Sequence, residues 1–304
     1  MSKHVPVLLK EVIEYLKIKP NGTYVDCTLG RGGHSKAILE KLTKNGQLYS
    51  IDQDLAAIGE GSKILAKIGG NFQILEGNFA NISALLALKN VFSVDGILYD
   101  LGVSSPQFDV PERGFSYRFE GPLDMRMDLQ NNQLTAQEVV NSKTVAELSL
   151  IFQRYGDEQY ANTIAQSIVQ ERPLITTLDL VEAIKKGLPQ KVLKQKGHPA
   201  KKVFQALRIY VNDELRSLEI SLEQGLTLLN PKGRIVVITF HSLEEKVVKA
   251  IFKKHTLNEQ VRVLEKLPIV PKNSTPAFEL VIKKPLKPTT QEIFENKRAH
   301  SAKM

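Results

Sequence analysis

A glycine-rich turn offers the first chemistry. The run Val25-Asp26-Cys27-Thr28-Leu29-Gly30-Arg31-Gly32-Gly33-His34-Ser35 passes from a strand-like stretch into a helix-like one. Glycines let the backbone turn sharply and approach a ligand closely. The helix start that follows carries free N–H groups. A tight structural turn alone also explains such a run. Asp52 adds to it: it ends the next strand, about twenty residues past Gly32, where dinucleotide folds keep the acid that grips ribose hydroxyls. Two cofactor classes share this geometry, nicotinamide dinucleotides and S-adenosylmethionine. The dinucleotide fingerprint has a third glycine where Ser35 stands and aims N–H groups at a pyrophosphate. Asp26 and Asp100, on strand ends beside the loop, repel a pyrophosphate and suit a cofactor bearing an ammonium and a sulfonium. The pattern favours S-adenosylmethionine, with a nicotinamide-dependent oxidoreductase as the alternative.

A second segment, Asp100-Leu101-Gly102-Val103-Ser104-Ser105-Pro106-Gln107, follows the fourth strand. Methyltransferases acting on exocyclic base amines carry a short Asp/Asn/Ser-Pro-Pro-aromatic motif there. The lone pair of a cytosine N4 amine is delocalised into the ring, so the nitrogen is a poor nucleophile. A side-chain oxygen and a backbone carbonyl that accept its two N–H bonds favour a more reactive nitrogen, provided the methyl donor lies in line. Ser105 and the Pro106 carbonyl are the candidates for this role, with Asp100 near the donor methyl. Only Ser105-Pro106 matches the motif, because Gln107 stands in the aromatic position, and a plain Ser-Pro turn accounts for it equally. Phe108, Phe115, Tyr117 and Phe119 could stack a flipped base, but each taken singly reads as core.

The elements that must carry these residues alternate. Strands read at Thr23 to Cys27, Gln47 to Ile51, Phe72 to Leu75 and Gly96 to Tyr99. Helices read at His34 to Leu42, Leu55 to Ile68 and Ile82 to Leu88. Single helices between strands imply right-handed crossovers and a parallel sheet. The rhythm breaks after Leu101, and a helical pattern fills Ala136 to Lys186. It returns with a long helix from Val203 to Leu229, a turn at Pro231-Lys232-Gly233, a buried strand from Arg234 to Phe240 and a helix from Ser242 to Lys254. The tail reads as a strand at Phe278 to Ile282. The fold class is therefore α/β, a mostly parallel sheet with an inserted all-helical domain. Its parts are 1–104, an insertion at 105–201, and 202–304.

Composition narrows the function classes. The chain has 304 residues, 42% of them apolar, so it can build a sizeable core. Cys27 is the only cysteine, so no internal disulfide forms and no oxidising compartment is needed. No Cys/His cluster has zinc spacing, so no metal is expected. With no membrane-length apolar run and no secretory signal, the expectation is a cytoplasmic protein. Lys plus Arg is 41 against 33 Asp plus Glu, a net charge of +8 that points to an anionic partner, nucleic acid or membrane surface. That surplus equals one acid-free segment: Lys185, Lys186, Lys191, Lys194, Lys196, Lys201, Lys202 and Arg208. It is expected to contact RNA phosphates.

Taken together, the motifs resemble one family. Asp26-Cys27-Thr28-Leu29-Gly30-Arg31-Gly32-Gly33-His34-Ser35 and Asp95-Gly96-Ile97-Leu98-Tyr99-Asp100-Leu101-Gly102-Val103-Ser104-Ser105-Pro106-Gln107 are similar to its first two motifs. Pro111-Glu112-Arg113-Gly114-Phe115-Ser116, Gly121-Pro122-Leu123-Asp124-Met125-Arg126-Met127-Asp128 and Gly197-His198-Pro199-Ala200 continue the match. So do Phe204-Gln205-Ala206-Leu207-Arg208-Ile209 and Ile238-Thr239-Phe240-His241-Ser242-Leu243-Glu244. The chain resembles the bacterial ribosomal RNA small subunit methyltransferase H family from His4 nearly to its end. The resemblance implies a cytoplasmic, Rossmann-like class I enzyme that moves a methyl group from S-adenosylmethionine to N4 of a cytidine in the decoding centre of 16S rRNA. It implies cofactor contacts at Gly32, Gly33, His34, Asp52, Phe79, Asp100 and Gln107. It gives the insertion a role in RNA recognition, and leaves His198 and His241 as substrate-orienting residues or structural caps. It also implies a short strand beyond Asn296–Lys303, where this chain ends at Met304. The partner expected is 16S rRNA, within the small ribosomal subunit, and the insertion offers a face for a homodimer. A non-catalytic RNA-binding assembly factor on the same fold is the other alternative.

Overall fold

The computed structural model describes residues 6–103, 105–256 and 277–304, with the side chains of Ser105 and Pro106 outside that description. The chain divides into two compact units, Met1–Gly102 with Leu215–Met304, and Val103–Glu214.

The first unit alternates helix and strand as far as Asp100: α1 (Leu9–Leu16), β1 (Thr23–Asp26), α2 (Gly33–Leu39), β2 (Gln47–Asp52), α3 (Leu55–Leu65), β3 (Phe72–Glu76), α4 (Ile82–Ala87) and β4 (Val94–Asp100). All neighbours in the five-stranded sheet pair in parallel, in the order β3-β2-β1-β4-β5, where β5 is Leu229–Ile238. Alternate residues serve opposite faces. Tyr24, Leu48, Leu98, Val236 and Ile238 pack with Val12 and Leu16 of α1 and Ile38 and Leu39 of α2. Val25, Tyr49, Ile51, Ile97, Tyr99 and Val237 pack on the other face with Leu218, Leu222 and Ile251. Both faces are covered, as a parallel sheet requires. Each fully buried Ile or Leu contributes about 1.5–3 kcal/mol.

The second unit is helical: α5 (Ser105–Asp109), α6 (Ala136–Ser142), α7 (Val145–Gly156), α8 (Ala161–Gln170), α9 (Thr177–Lys186), α10 (Gln190–Leu193) and α11 (Lys201–Asn212). Three helices start with reciprocal capping boxes, Thr135 with Glu138, Thr144 with Glu147 and Thr176 with Asp179. The apolar faces of α6 to α9 and α11 share one core that includes Phe115, Phe152 and Phe204. Phe115 is thus core, whereas Phe119 is half exposed and Phe108 more than a third exposed.

Three expectations need correction. The helix expected from Val203 to Leu229 is two, α11 and α12 (Glu214–Leu228), because Asp213 adopts a left-handed conformation at φ 48. The turn at Pro231-Lys232-Gly233 lies inside β5 as an irregularity: Val94 pairs with Leu229, but Gly96 pairs with Arg234. Phe278 to Ile282 is not a strand. A strand needs a ladder partner for its N–H and C=O groups, and here the segment lines a cavity of about 1030 Å³ beside β5 and α13 (Ser242–Thr256). The contact made along this side of the sheet is an isolated antiparallel bridge between Thr239 and Lys303, after α14 (Thr290–Glu295). Among the described residues no helix is long and apolar enough to cross a membrane.

Candidate active site

The sheet order places a topological switch point between β1 and β4, since the chain winds one way to β3 and the other way to β5. Open parallel sheets bind ligands at such points, beyond the strands' carboxyl ends. Both motif loops leave the sheet there.

The turn after β1 is built by its glycines. Gly30 and Gly32 hold φ values of 50° and 71°, in the left-handed region. A Cβ on Gly33 would stand 2.4 Å from Pro6 Cγ, so the chain before α1 closes over bare backbone. Asp26 is fully buried. Its Oδ1 accepts the Thr28 N–H at 3.0 Å, and its Oδ2 accepts the Ser35 hydroxyl at 2.7 Å. Ser35 in turn meets the Ser50 hydroxyl at 2.8 Å on β2. Burial raises the Asp26 carboxyl above its usual range, although the Ser35 hydrogen bond and the His34 charge oppose the rise. Asp26 therefore braces the loop from inside. Thr28 extends the brace, accepting the Asp100 N–H at 2.7 Å and so lacing β1 to β4.

Asp52, at the end of β2, accepts the Gly30 N–H at 2.9 Å through Oδ2 and the Asp54 N–H at 2.9 Å through Oδ1. Burial pushes it up to about 6 against those two hydrogen bonds. Beside it Asn78 donates to Gln53 at 3.1 Å, and Phe79 turns its ring edgewise to Tyr99 at 6.0 Å.

His34 is 5% exposed, with Nε2 at 2.9 Å from the Val7 carbonyl and Nδ1 at 3.3 Å from Asp100 Oδ2. Burial lowers its pKa, but the hydrogen bond and charge of Asp100, the charge of Asp26 and the Val7 carbonyl outweigh it, and the net shift is upward. The other Asp100 oxygen, Oδ1, is buried without a hydrogen-bond partner.

Gly32, Gly33, His34, Asp52 and Asp100 are thus gathered at one edge of the sheet, with Phe79 just past the end of β3. Gln107 is buried on α5 of the second unit. Ser105 and Pro106 carry side chains outside the described residues, and Ser104 lies wholly outside them. His241 ends the β5 segment as a local cap, 2.9 Å from Glu244, whose carboxylate also accepts the Phe240 N–H at 2.7 Å. His198 stacks on Tyr117 in the second unit. Sequence reasoning missed the roles of Thr28, Ser35 and Ser50. The available signal was a serine in place of the third glycine, nine residues beyond a buried-strand aspartate.

The donor set fits S-adenosylmethionine. Asp26, Asp52 and Asp100 make the edge acidic, which disfavours a pyrophosphate and suits a cation. The orphaned Asp100 oxygen is an acceptor awaiting a donor such as an ammonium. Asp52 has lone pairs left for vicinal hydroxyls, and the loop is open at Gly30, where a Cβ would meet nothing nearer than the Thr28 carbonyl at 3.9 Å.

Comparison with known proteins agrees. The model of the MraW methylase family matches residues 1–304. The chain is 65% identical over 304 residues to the ribosomal RNA small subunit methyltransferase H of Mesoplasma florum, covering 100% of this chain and 98% of that protein. It is 59% identical over 304 residues to the protein of the same name from Mycoplasma capricolum, again covering 100% and 98%. A solved SAM dependent methyltransferase from Aquifex aeolicus aligns with 49% of this chain and 78% of its own at 15% identity and a TM-score of 0.27. The chain belongs to the MraW methylase family.

Proposed function

We infer that this protein methylates small-subunit ribosomal RNA, taking the methyl group from S-adenosylmethionine and delivering it to N4 of a cytidine in the decoding centre of 16S rRNA. The observation that carries the reading is Asp100, a β4-terminal carboxylate held through one oxygen by His34 and left with a buried, unpartnered second oxygen. The relatives named above support the choice of substrate. When bound, the cofactor supplies an electrophilic methyl group on a sulfonium.

The chain's own residues then divide the work. Asp52 takes the ribose hydroxyls, the Gly32–Gly33 backbone approaches the amino-acid end, and Phe79 presents its ring edge beside the adenine. Asp100 and Gln107 complete the cofactor's surroundings. Ser105 and the Pro106 carbonyl accept the two N–H bonds of the target amine, which localises its lone pair. Transfer is direct. Cys27, the only thiol, is buried and its pKa is pushed well up by that burial, so it stays protonated and forms no adduct with the base.

In this reading the unit of residues 1–102 and 215–304 is the methyltransferase domain, and the helical unit, 103–214, recognises the RNA. The work is cytoplasmic. A homodimer contact through the helical unit belongs to this reading, and light scattering tests it. The deciding experiment is mass spectrometry of 16S rRNA from cells with and without the gene. Loss of one N4-methylcytidine is expected, and an intact modification overturns the reading.

A further inference from the structure

We propose that the second unit holds an unpaired RNA strand on a face made by Tyr117, Phe119, His198 and four lysines, so that open bases stack on the rings while phosphates meet the ammonium groups. The proposal deepens the rRNA reading and rests on it.

The rings come first. Tyr117 and His198 lie 4.2 Å apart at 17°, a parallel stack. Phe204, from the unit's core, supports Tyr117 edgewise at 5.8 Å. The Arg118 guanidinium stands 5.9 Å from the Tyr117 ring centre. The surroundings of His198 favour its neutral form. Burial, then the charges of Lys185 and Arg118, lower its pKa, and its Nδ1 accepts the Ala200 N–H at 3.3 Å. A neutral imidazole on a tyrosine is an aromatic surface and no anion site. Phe119, two residues beyond Tyr117, leaves 49% of its surface in solvent. Bases offer the flat faces that such rings accept.

The charges sort into two sets. Lys185 is spent on Glu182 at 2.7 Å, Lys186 on Glu171 at 2.6 Å, and Arg208 on Glu214 at 2.7 Å. Lys202 reaches the Asp157 carbonyl at 2.8 Å. These four already have partners within the protein. Lys191, Lys194, Lys196 and Lys201 are all exposed, and among the described residues none has an acidic partner. They flank His198 on both sides in the chain. Bare ammonium groups repel one another, and a polyanion relieves that repulsion.

An unpaired strand fits better than a duplex, whose bases turn only their edges outward and leave no face to stack. It fits better than an anionic membrane, which would use the lysines and leave the stacked rings without a role.

The test uses the full chain and fluorescence anisotropy with a short unpaired oligoribonucleotide, a duplex of the same sequence and phosphatidylserine vesicles, across a salt series. The unpaired RNA should bind best. Changing Lys191, Lys194, Lys196 and Lys201 together to Gln should flatten its log affinity–log salt slope by up to about 3, at about 0.7 per phosphate contact. His198→Ala and Phe119→Ala should each weaken binding about tenfold and leave the slope unchanged. On small subunits all three changes should raise KM and spare kcat. An unchanged slope, equal binding of duplex, or a lysine effect seen only with vesicles overturns the proposal. Failure of the wild-type chain to methylate small subunits counts against the rRNA reading instead, since the oligonucleotide binding is scored separately.

Discussion

His34 donates to Asp100. Its Nδ1 lies 3.3 Å from Asp100 Oδ2 while its Nε2 lies 2.9 Å from the Val7 carbonyl. A carbonyl and a carboxylate are both acceptors, so a ring that satisfies both carries two protons and is an imidazolium. The resemblance of the motif named His34 as a cofactor contact. Both ring nitrogens of its side chain already have partners within the protein, Asp100 and Val7. The ring fixes Asp100 through one oxygen, leaves the other for a ligand, and ties the entry to α1 to the glycine loop.

The imidazolium makes stability pH-dependent. The native state raises the His34 pKa, so its contribution is complete below the ordinary value of about 6.5 and is lost as pH rises through the raised folded value. His34→Gln keeps a donor but cannot titrate. Melting temperatures of the wild type should fall relative to His34→Gln across the neutral-to-alkaline range. Parallel curves would show that the proton is not on His34.

Asp52 acts in a more acidic range. Its carboxyl is raised to about 6, so the folded chain holds that proton more tightly than the unfolded one. The sign follows: stability falls as pH climbs from about 4 to 6, the interval between the unfolded and folded values. Ribose hydroxyls need the ionised form as acceptor, so cofactor affinity should weaken below about pH 6, approaching tenfold per pH unit. Asp52→Asn should remove that acid limb and weaken binding tenfold to a hundredfold at neutral pH, the range of a charge-assisted hydrogen bond of about 1.5–3 kcal/mol. Calorimetric titration with S-adenosylmethionine across pH reads both effects; an acid limb that survives the substitution assigns it to another group.

Ser35 supplies a sharper case. In Ser35→Ala, Asp26 Oδ2 loses the 2.7 Å hydrogen bond that opposes its desolvation. Stripping one partner from a buried acceptor costs about 1–3 kcal/mol. The Asp26 carboxyl, already raised, should rise further, so the variant should lose more stability than the wild type as pH increases. Urea unfolding at two pH values checks this. Equal losses at both would mean the Asp26 proton does not move.

Ser35 also shows where the sequence was legible. As a departure from the glycine fingerprint it argued correctly against a pyrophosphate, but nothing in the spacing said that its hydroxyl would reach back to Asp26 and across to Ser50. The parallel sheet was readable because β1, β2 and β4 are largely apolar runs closed by aspartates. The break at Asp213 was not, because apolar periodicity runs on through both helices and a left-handed aspartate leaves no mark in it. Phe278 to Ile282 misled for the opposite reason: a short apolar run promises a strand only if a neighbour is there to pair with it.

Asn212 is the residue that periodicity hides most completely, since it ends α11 on the buried face where an apolar residue is expected. Its Oδ1 accepts the Met127 N–H at 2.7 Å, and its Nδ2 donates to the Met125 and Arg208 carbonyls, both at 2.8 Å. It thereby fixes the stretch from Asp124 to Asp128, in which Met125 holds φ at 62° with no glycine to ease it. Arg126 supports the same turn through paired contacts to Asp124, at 2.9 and 2.7 Å. Asn212→Leu keeps the volume but leaves one backbone N–H and one carbonyl of the turn without the amide, so a loss of about 2–4 kcal/mol is expected. Asn212→Asp keeps the acceptor for Met127 but sets a carboxylate against two carbonyls, and it should lose nearly as much. Hydrogen exchange measured by mass spectrometry distinguishes the local effect from a global one. Protection should fall first at Met125 to Asp128 and in α11, while β1 to β4 keep theirs. Uniform loss across both units would mean that Asn212 acts on overall stability and not on this turn.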